Sequence, residues 1–112
     1  MQLSSVFEDD KQIVSVGASR IDAASAIQFK DAMRATTDTD ATHVVLDLSR
    51  VKFVDSSGLG AIVAVMKQMG ESRQLDLAGL TPDVEKVFRL TRMDSIFRIH
   101  MTVNQAILGK TA

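Results

Sequence analysis

Apolar positions follow two rhythms along this chain, and the rhythm changes at each change of element. Val6 and Phe7, then Ile13, Val14 and Val16, form two short apolar segments, residues 2–7 and 12–17, separated by Glu8-Asp9-Asp10-Lys11. That arrangement predicts two strands joined by a solvated acidic turn as a hairpin. Ala26, Phe29 and Met33 recur at helical spacing and predict a helix ending near Thr36. Asp22 is one candidate cap for it, and Ser25 with Gln28 is a capping box one turn later. Thr36 to Thr42, rich in Thr and Asp, reads as a solvated loop.

Val44 to Leu48 is apolar at nearly every position, as in a central strand covered on both faces. Asp47 interrupts it and needs a polar partner if buried. A second apolar piece follows at Val51, Phe53 and Val54. Leu59, Ile62, Val63, Met66 and Met69 then mark a helix with one buried stripe, and Gly70 is placed to end it in a left-handed conformation. Leu75, Leu77 and Ala78 predict a strand ending at Gly79. Thr81-Pro82-Asp83 has the form of a helix start, with a hydroxyl cap, an early proline and an acid near the positive dipole end. Val84, Val87, Phe88 and Thr91 continue that helix. Phe97, Ile99 and Met101 alternate as in a last strand, and Ala106, Ile107 and Leu108 belong to a short final helix that Gly109 ends. Strands alternating with helices after an antiparallel hairpin predict a mostly parallel sheet in one domain, residues 1–112.

Composition narrows the function more by exclusion than by indication. The formal net charge is −1 and aromatic residues make up 4%, so nothing points to direct nucleic-acid binding. Cysteine is absent, which excludes disulfides and thiolate metal sites. The longest apolar run, Leu59 to Met66, is far shorter than the roughly 20 residues of a membrane span. The N-terminus lacks the pattern of a secretory signal. These features lead us to expect a cytoplasmic protein without membrane attachment.

Familiar catalytic patterns are missing. The chain has neither a P-loop nor a GxGxxG fingerprint after a strand. His43 and His100 lack metal-ligand spacing, so the expectation is no metal and no cofactor. His43 precedes a strand, and His100 alternates outward between Ile99 and Met101; both read as surface or edge residues. A Ser-His-Asp triad from Ser57, a histidine and Asp47 lacks the G-x-S-x-G elbow, because Asp55 stands two residues before Ser57. A phosphoacceptor receiver domain fails on topology: its acidic pair should end a first strand that leads into a helix, and Glu8-Asp9-Asp10 leads into another strand.

What remains is the junction Asp55-Ser56-Ser57-Gly58-Leu59-Gly60, where a buried strand feeds a helix N-terminus. Its plain reading is that Ser56 or Ser57 caps the helix. Yet Gly58 and Gly60 fall in the first turn, where each glycine costs about 1 kcal/mol relative to alanine. Together with Ala61 and Ala64 they leave the helix surface low, either for close packing within the domain or for another protein's backbone. A phosphate on a hydroxyl here would meet free amides and a positive dipole end, beside the Asp55 carboxylate. It would add about −1.5 to −2 charges.

The run from Val44 to Ser49 and on through Val54-Asp55-Ser56-Ser57-Gly58-Leu59-Gly60 resembles the signature of the STAS domain, in particular the stand-alone bacterial anti-sigma factor antagonists. The likeness extends to the Gly17–Asp22 turn with Ala26 and Phe29, the Leu75–Gly79 strand and the Val84–Phe97 segment. It implies the STAS-type α/β fold: a mixed, mostly parallel sheet with four helices and an antiparallel N-terminal edge strand. It also implies a partner switch without catalysis. The unphosphorylated antagonist binds an anti-sigma factor, a serine kinase of the histidine-kinase-like ATPase fold, and so frees the sigma factor. The kinase phosphorylates the serine before the motif glycine, here Ser57, and a PP2C-type phosphatase reverses the step. By the same resemblance Asp22, Asp55, Ser56, Ser57, Gly58, Leu59 and Gly60 form the partner surface, with Asp55 positioning the motif and Ser56 as its capping neighbour.

One departure stands out. Where the family's turn usually carries Gly, an apolar residue and Asp, this chain reads Gly17-Ala18-Ser19-Arg20-Ile21-Asp22. Arg20 sets a positive charge near the expected partner face, as a solubilising residue or one that alters partner choice. Two other functions compete with the switch: a constitutive adaptor subunit of a lipid-transport ABC complex or stressosome-like assembly, and a nucleotide-binding domain.

Overall fold

The computed structural model describes residues 1–109; the last three residues of the expected domain lie outside it. Two strands open the chain, β1 (Leu3–Glu8) and β2 (Lys11–Val16), paired antiparallel. The two residues between them, Asp9 and Asp10, both have positive φ, 51° and 65°. That geometry matches the twist of a tight hairpin, and aspartate tolerates it better than most residues. A short β3 (Arg20–Ile21) precedes α1 (Ala26–Thr36), and β4 (His43–Asp47) and β5 (Phe53–Val54) precede α2 (Ser56–Met69). Then come β6 (Gln74–Ala78), α3 (Pro82–Leu90), a single 3-10 turn at Met93–Ser95, β7 (Ile99–His100) and α4 (Val103–Ile107).

The main sheet has the order β1-β2-β4-β6-β7, antiparallel at β1-β2 and parallel elsewhere. Its two faces are covered unequally. Val14, Val44, Leu46 and Leu77 face the larger core with Phe29 and Met33 of α1, Ile62 of α2 and Phe88 of α3. Ile13, Val45 and Ala78 point the other way and meet Ala106 of α4. Double-sided cover is why β4 is continuously apolar, as its sequence implies.

The two-sided sheet also corrects the reading of His100. It is 3% exposed, because the face opposite Ile99 is roofed by α4 instead of water. Met101 lies beyond the two-residue β7 and is exposed. The Nε2 atoms of His100 and His43 stand 2.8 and 2.9 Å from the same oxygen, Oδ2 of Asp76, while Gln74 donates to Oδ1 at 2.7 Å. His43, at the start of β4, is half-buried. Asp76 is 1% exposed. Burial pushes its carboxyl pKa up, but the bonds from His100, Gln74 and His43 outweigh burial and hold it below the ordinary value.

Several local expectations are adjusted by tertiary contacts. Asp47 sits half-buried at the end of β4, where it accepts from Ser15 Oγ and the Ser49 amide. The 36–42 loop is pinned rather than freely solvated: buried Gln12 donates to the Thr36 carbonyl and accepts from Thr39 Oγ1. Gly70 has φ 80° and ψ 177°, a positive-φ end to α2 that is extended instead of helical. Thr81 stands at the N-cap position of α3, yet its hydroxyl donates to the Val51 carbonyl at 2.7 Å and makes no cap bond. The second apolar piece and the 17–22 turn, a connection in which no strand is expected, meet in parallel as a separate two-stranded sheet, Arg20 with Phe53 and Ile21 with Val54. That small sheet carries the chain into the serine junction.

Candidate functional site

The junction is built around one carboxylate. Asp55, in extended conformation, is the N-cap of α2, and its Oδ1 accepts the Gly58 amide at 2.9 Å. Neither Ser56 nor Ser57 caps the helix, contrary to the plain reading of the sequence. Both lie inside the first turn, both are exposed, and neither hydroxyl has a hydrogen-bond partner among the described residues. An aspartate one position upstream does the same work with a stronger acceptor, because its charge favours the helix N-terminus.

The second oxygen of Asp55 reaches a distant segment. Oδ2 accepts the Ala23 amide at 3.0 Å, tying the turn before α1 to the start of α2. Asp22 completes that turn: its Oδ1 accepts from the Ala24 amide and from Ser25 Oγ, and its Oδ2 pairs with Arg20 Nε at 3.1 Å. The Arg20 bond, with smaller help from Ser25 and the Ala24 amide and against some desolvation, lowers the Asp22 pKa. Ser25 is the residue before α1, but its hydroxyl serves Asp22 and makes no cap bond to the helix, so the expected capping box is not formed.

The two glycines of the motif have different roles. A Cβ on Gly58 would lie 1.9 Å from the Ile21 carbonyl oxygen, so the first turn of α2 rests directly on β3. A Cβ on Gly60 would meet nothing within 4 Å. The low helix surface expected from these residues is therefore two surfaces: an inner one used for packing, and an outer one open to solvent. Leu59 turns inward with Ile62 into the core.

The structure thus brings Asp22, Asp55, Ser56, Ser57, Gly58 and Gly60 to one corner, with Leu59 anchoring it from below. It also adds Ala23, Ile21 and Phe53, which local pattern did not single out. The spacing of Phe53 two residues before Asp55 was visible, but its pairing with Arg20 depends on a strand contact 33 positions apart. Both histidines bond Asp76 on the sheet face away from α2, so the triad on paper is not assembled. An open groove of about 630 Å³ between α1 and α2, lined by Asp31, Arg34 and Gln68, shares no residue with the serine corner. Among the described residues no helix is long and apolar enough to cross a membrane.

Comparison with known proteins agrees with this architecture. BtrV of Bordetella bronchiseptica is 34% identical over 80 residues, 70% of this chain and 69% of that one. The anti-sigma-F factor antagonist RsfB of Mycobacterium tuberculosis is 27% identical over 97 residues, 87% of this chain and 79% of its own. The crystal structure of an anti-sigma factor antagonist from Mycobacterium paratuberculosis superposes with a TM-score of 0.85 at 25% identity, covering 96% of this chain and 92% of that one. The family model for the STAS domain matches residues 8–106. By that match, and by its 34% identity to BtrV, the chain belongs to the STAS domain family.

Proposed function

We propose that this protein is an anti-sigma factor antagonist whose binding is switched by phosphorylation of Ser57. In the unphosphorylated state it docks on an anti-sigma factor that is also a serine kinase of the histidine-kinase-like ATPase fold, and the sigma factor is released. The kinase then modifies Ser57, and a PP2C-type phosphatase restores it. The protein is a substrate and a binding partner, with no catalysis of its own, and works in the cytoplasm. Relatives that carry the antagonist name support the first part of this reading.

The observation that carries the switch is the division of labour between Asp55 and Ser57. Because Asp55 supplies the cap, the Ser57 hydroxyl is exposed and uncommitted while its backbone is held in a rigid first turn. A kinase can take that hydroxyl without dismantling the helix start. A phosphate there sits near the positive end of the α2 dipole, which accommodates the charge within the domain. Toward a partner, the same charge beside Asp55 imposes repulsion and desolvation.

Incubation with the cognate anti-sigma kinase and ATP tests the reading. The expected result is one increment of about 80 Da, a single phosphoryl group, absent from Ser57→Ala. Ser57→Asp should weaken the complex at least about tenfold. Stable binding that ignores Ser57→Asp, with no phosphate added to the wild type, would replace the switch with a constitutive adaptor.

A further inference from the structure

We propose that Arg20, stacked on Phe53, selects an anti-sigma partner that presents a carboxylate at this corner; the inference rests on the antagonist reading above. Arg20 and Phe53 are register partners on parallel strands, so their side chains share the outer face of the small sheet while Ile21 and Val54 fill the inner one. The guanidinium carbon stands 4.1 Å from the Phe53 ring centroid, and the ring is 40% exposed. Stacking holds a long, otherwise mobile side chain in one place, which lowers the entropy lost when it is bound.

The charge at this corner is not what its composition suggests. Both carboxylates are spent internally: Asp22 accepts from Arg20, Ala24 and Ser25, and Asp55 from Ala23 and Gly58. Arg20 uses only Nε on Asp22; its Nη1 and Nη2 have no partner among the described residues, and the side chain is 58% exposed. The outward-facing group is therefore a fixed cation with two free donor nitrogens. Against it lies Phe53, itself 40% exposed. An arginine beside an exposed aromatic has the composition of an interface hot spot. A carboxylate fits the planar fork of the guanidinium, whereas a neutral or basic group there would bury the cation unmatched. Since the Ile21 carbonyl next to Arg20 supports Gly58, the selecting cation and the phosphorylated turn belong to one rigid unit.

The test uses the purified protein and each histidine-kinase-like anti-sigma factor encoded in its genome, with binding measured by calorimetry at two salt concentrations. Expected results are binding of the wild type to at least one factor, and loss of about tenfold or more for Arg20→Glu. Arg20→Lys should be intermediate, because charge remains but the fork is lost. Reversing the charge of the facing carboxylate in the partner should restore binding to Arg20→Glu. Arg20→Gln, with unchanged thermal unfolding, should bind with a shallower salt dependence. If Arg20→Glu binds as tightly as the wild type while Ser57→Asp is weakened, the selectivity inference is overturned and the switch stands. If the wild type binds none of these factors, both are overturned.

Discussion

The amide of Ala23 donates to Asp55 Oδ2 at 3.0 Å across 32 positions of sequence, while the other oxygen of the same carboxylate caps α2 through Gly58. One side chain therefore fixes both the helix that presents Ser57 and the turn that carries Asp22. The rigid corner follows from that double use, and the following outcomes probe it.

Replacing Asp55 with alanine removes both bonds and leaves two amides without their partner. We expect a loss of about 1–3 kcal/mol in chemical denaturation. Asp55→Asn, which keeps an acceptor oxygen, should lose less. Equal stability of the alanine variant and the wild type would contradict the bridging role.

Ser56→Ala and Ser57→Ala should each change stability by no more than about 0.5 kcal/mol, since neither hydroxyl caps the helix or has a partner among the described residues. A loss of the size typical of a cap, about 1 kcal/mol, would return the capping role to serine.

The two glycines should respond with opposite signs. Gly58→Ala drives a methyl group into the Ile21 carbonyl, a backbone atom with little room to yield, and should cost about 2–3 kcal/mol. Gly60→Ala places its methyl in open space and should stabilise by about 0.5–1 kcal/mol through helix propensity. Larger residues at Gly60 should leave the fold intact and weaken partner binding. Unfolding curves of the two alanine variants, measured side by side, decide the point.

Asp76 links stability to acid. Its pKa is lowered in the folded protein, so the unfolded chain binds the proton first as pH falls. The stabilisation is complete above the ordinary carboxylate value of 3.8 and disappears as pH drops through the lower folded value. Asp76→Asn should therefore lower stability at neutral pH and flatten this part of the acid limb. Asp76→Ala should cost about 1–3 kcal/mol at neutral pH, because it removes the acceptor shared by His100, His43 and Gln74. An unchanged acid limb in Asp76→Asn would refute the linkage.

Much of this protein is legible from local chemistry. The apolar rhythm determines the alternating elements, and the acidic pair Asp9-Asp10 fits the hairpin turn by itself. The signature from Val44 to Gly60 places the serine junction at a strand-to-helix step, because the spacing of Leu59, Ile62 and Met66 marks one helix face. Tertiary structure decided which residue performs each task there. Asp55 outcompetes the serines for the cap because its oxygens reach both Gly58 and Ala23, and only folding brings Ala23 within range. His100 is buried because α4, a late and short element, covers the second face of the sheet, which alternation within a two-residue strand cannot reveal. Arg20 meets Phe53, and Gly58 meets Ile21, through a strand pairing set by the fold and not by neighbouring sequence. Local sequence specifies where a hydroxyl, a carboxylate or a glycine stands; contacts between distant segments determine which of them is spent on the fold and which is left facing outward.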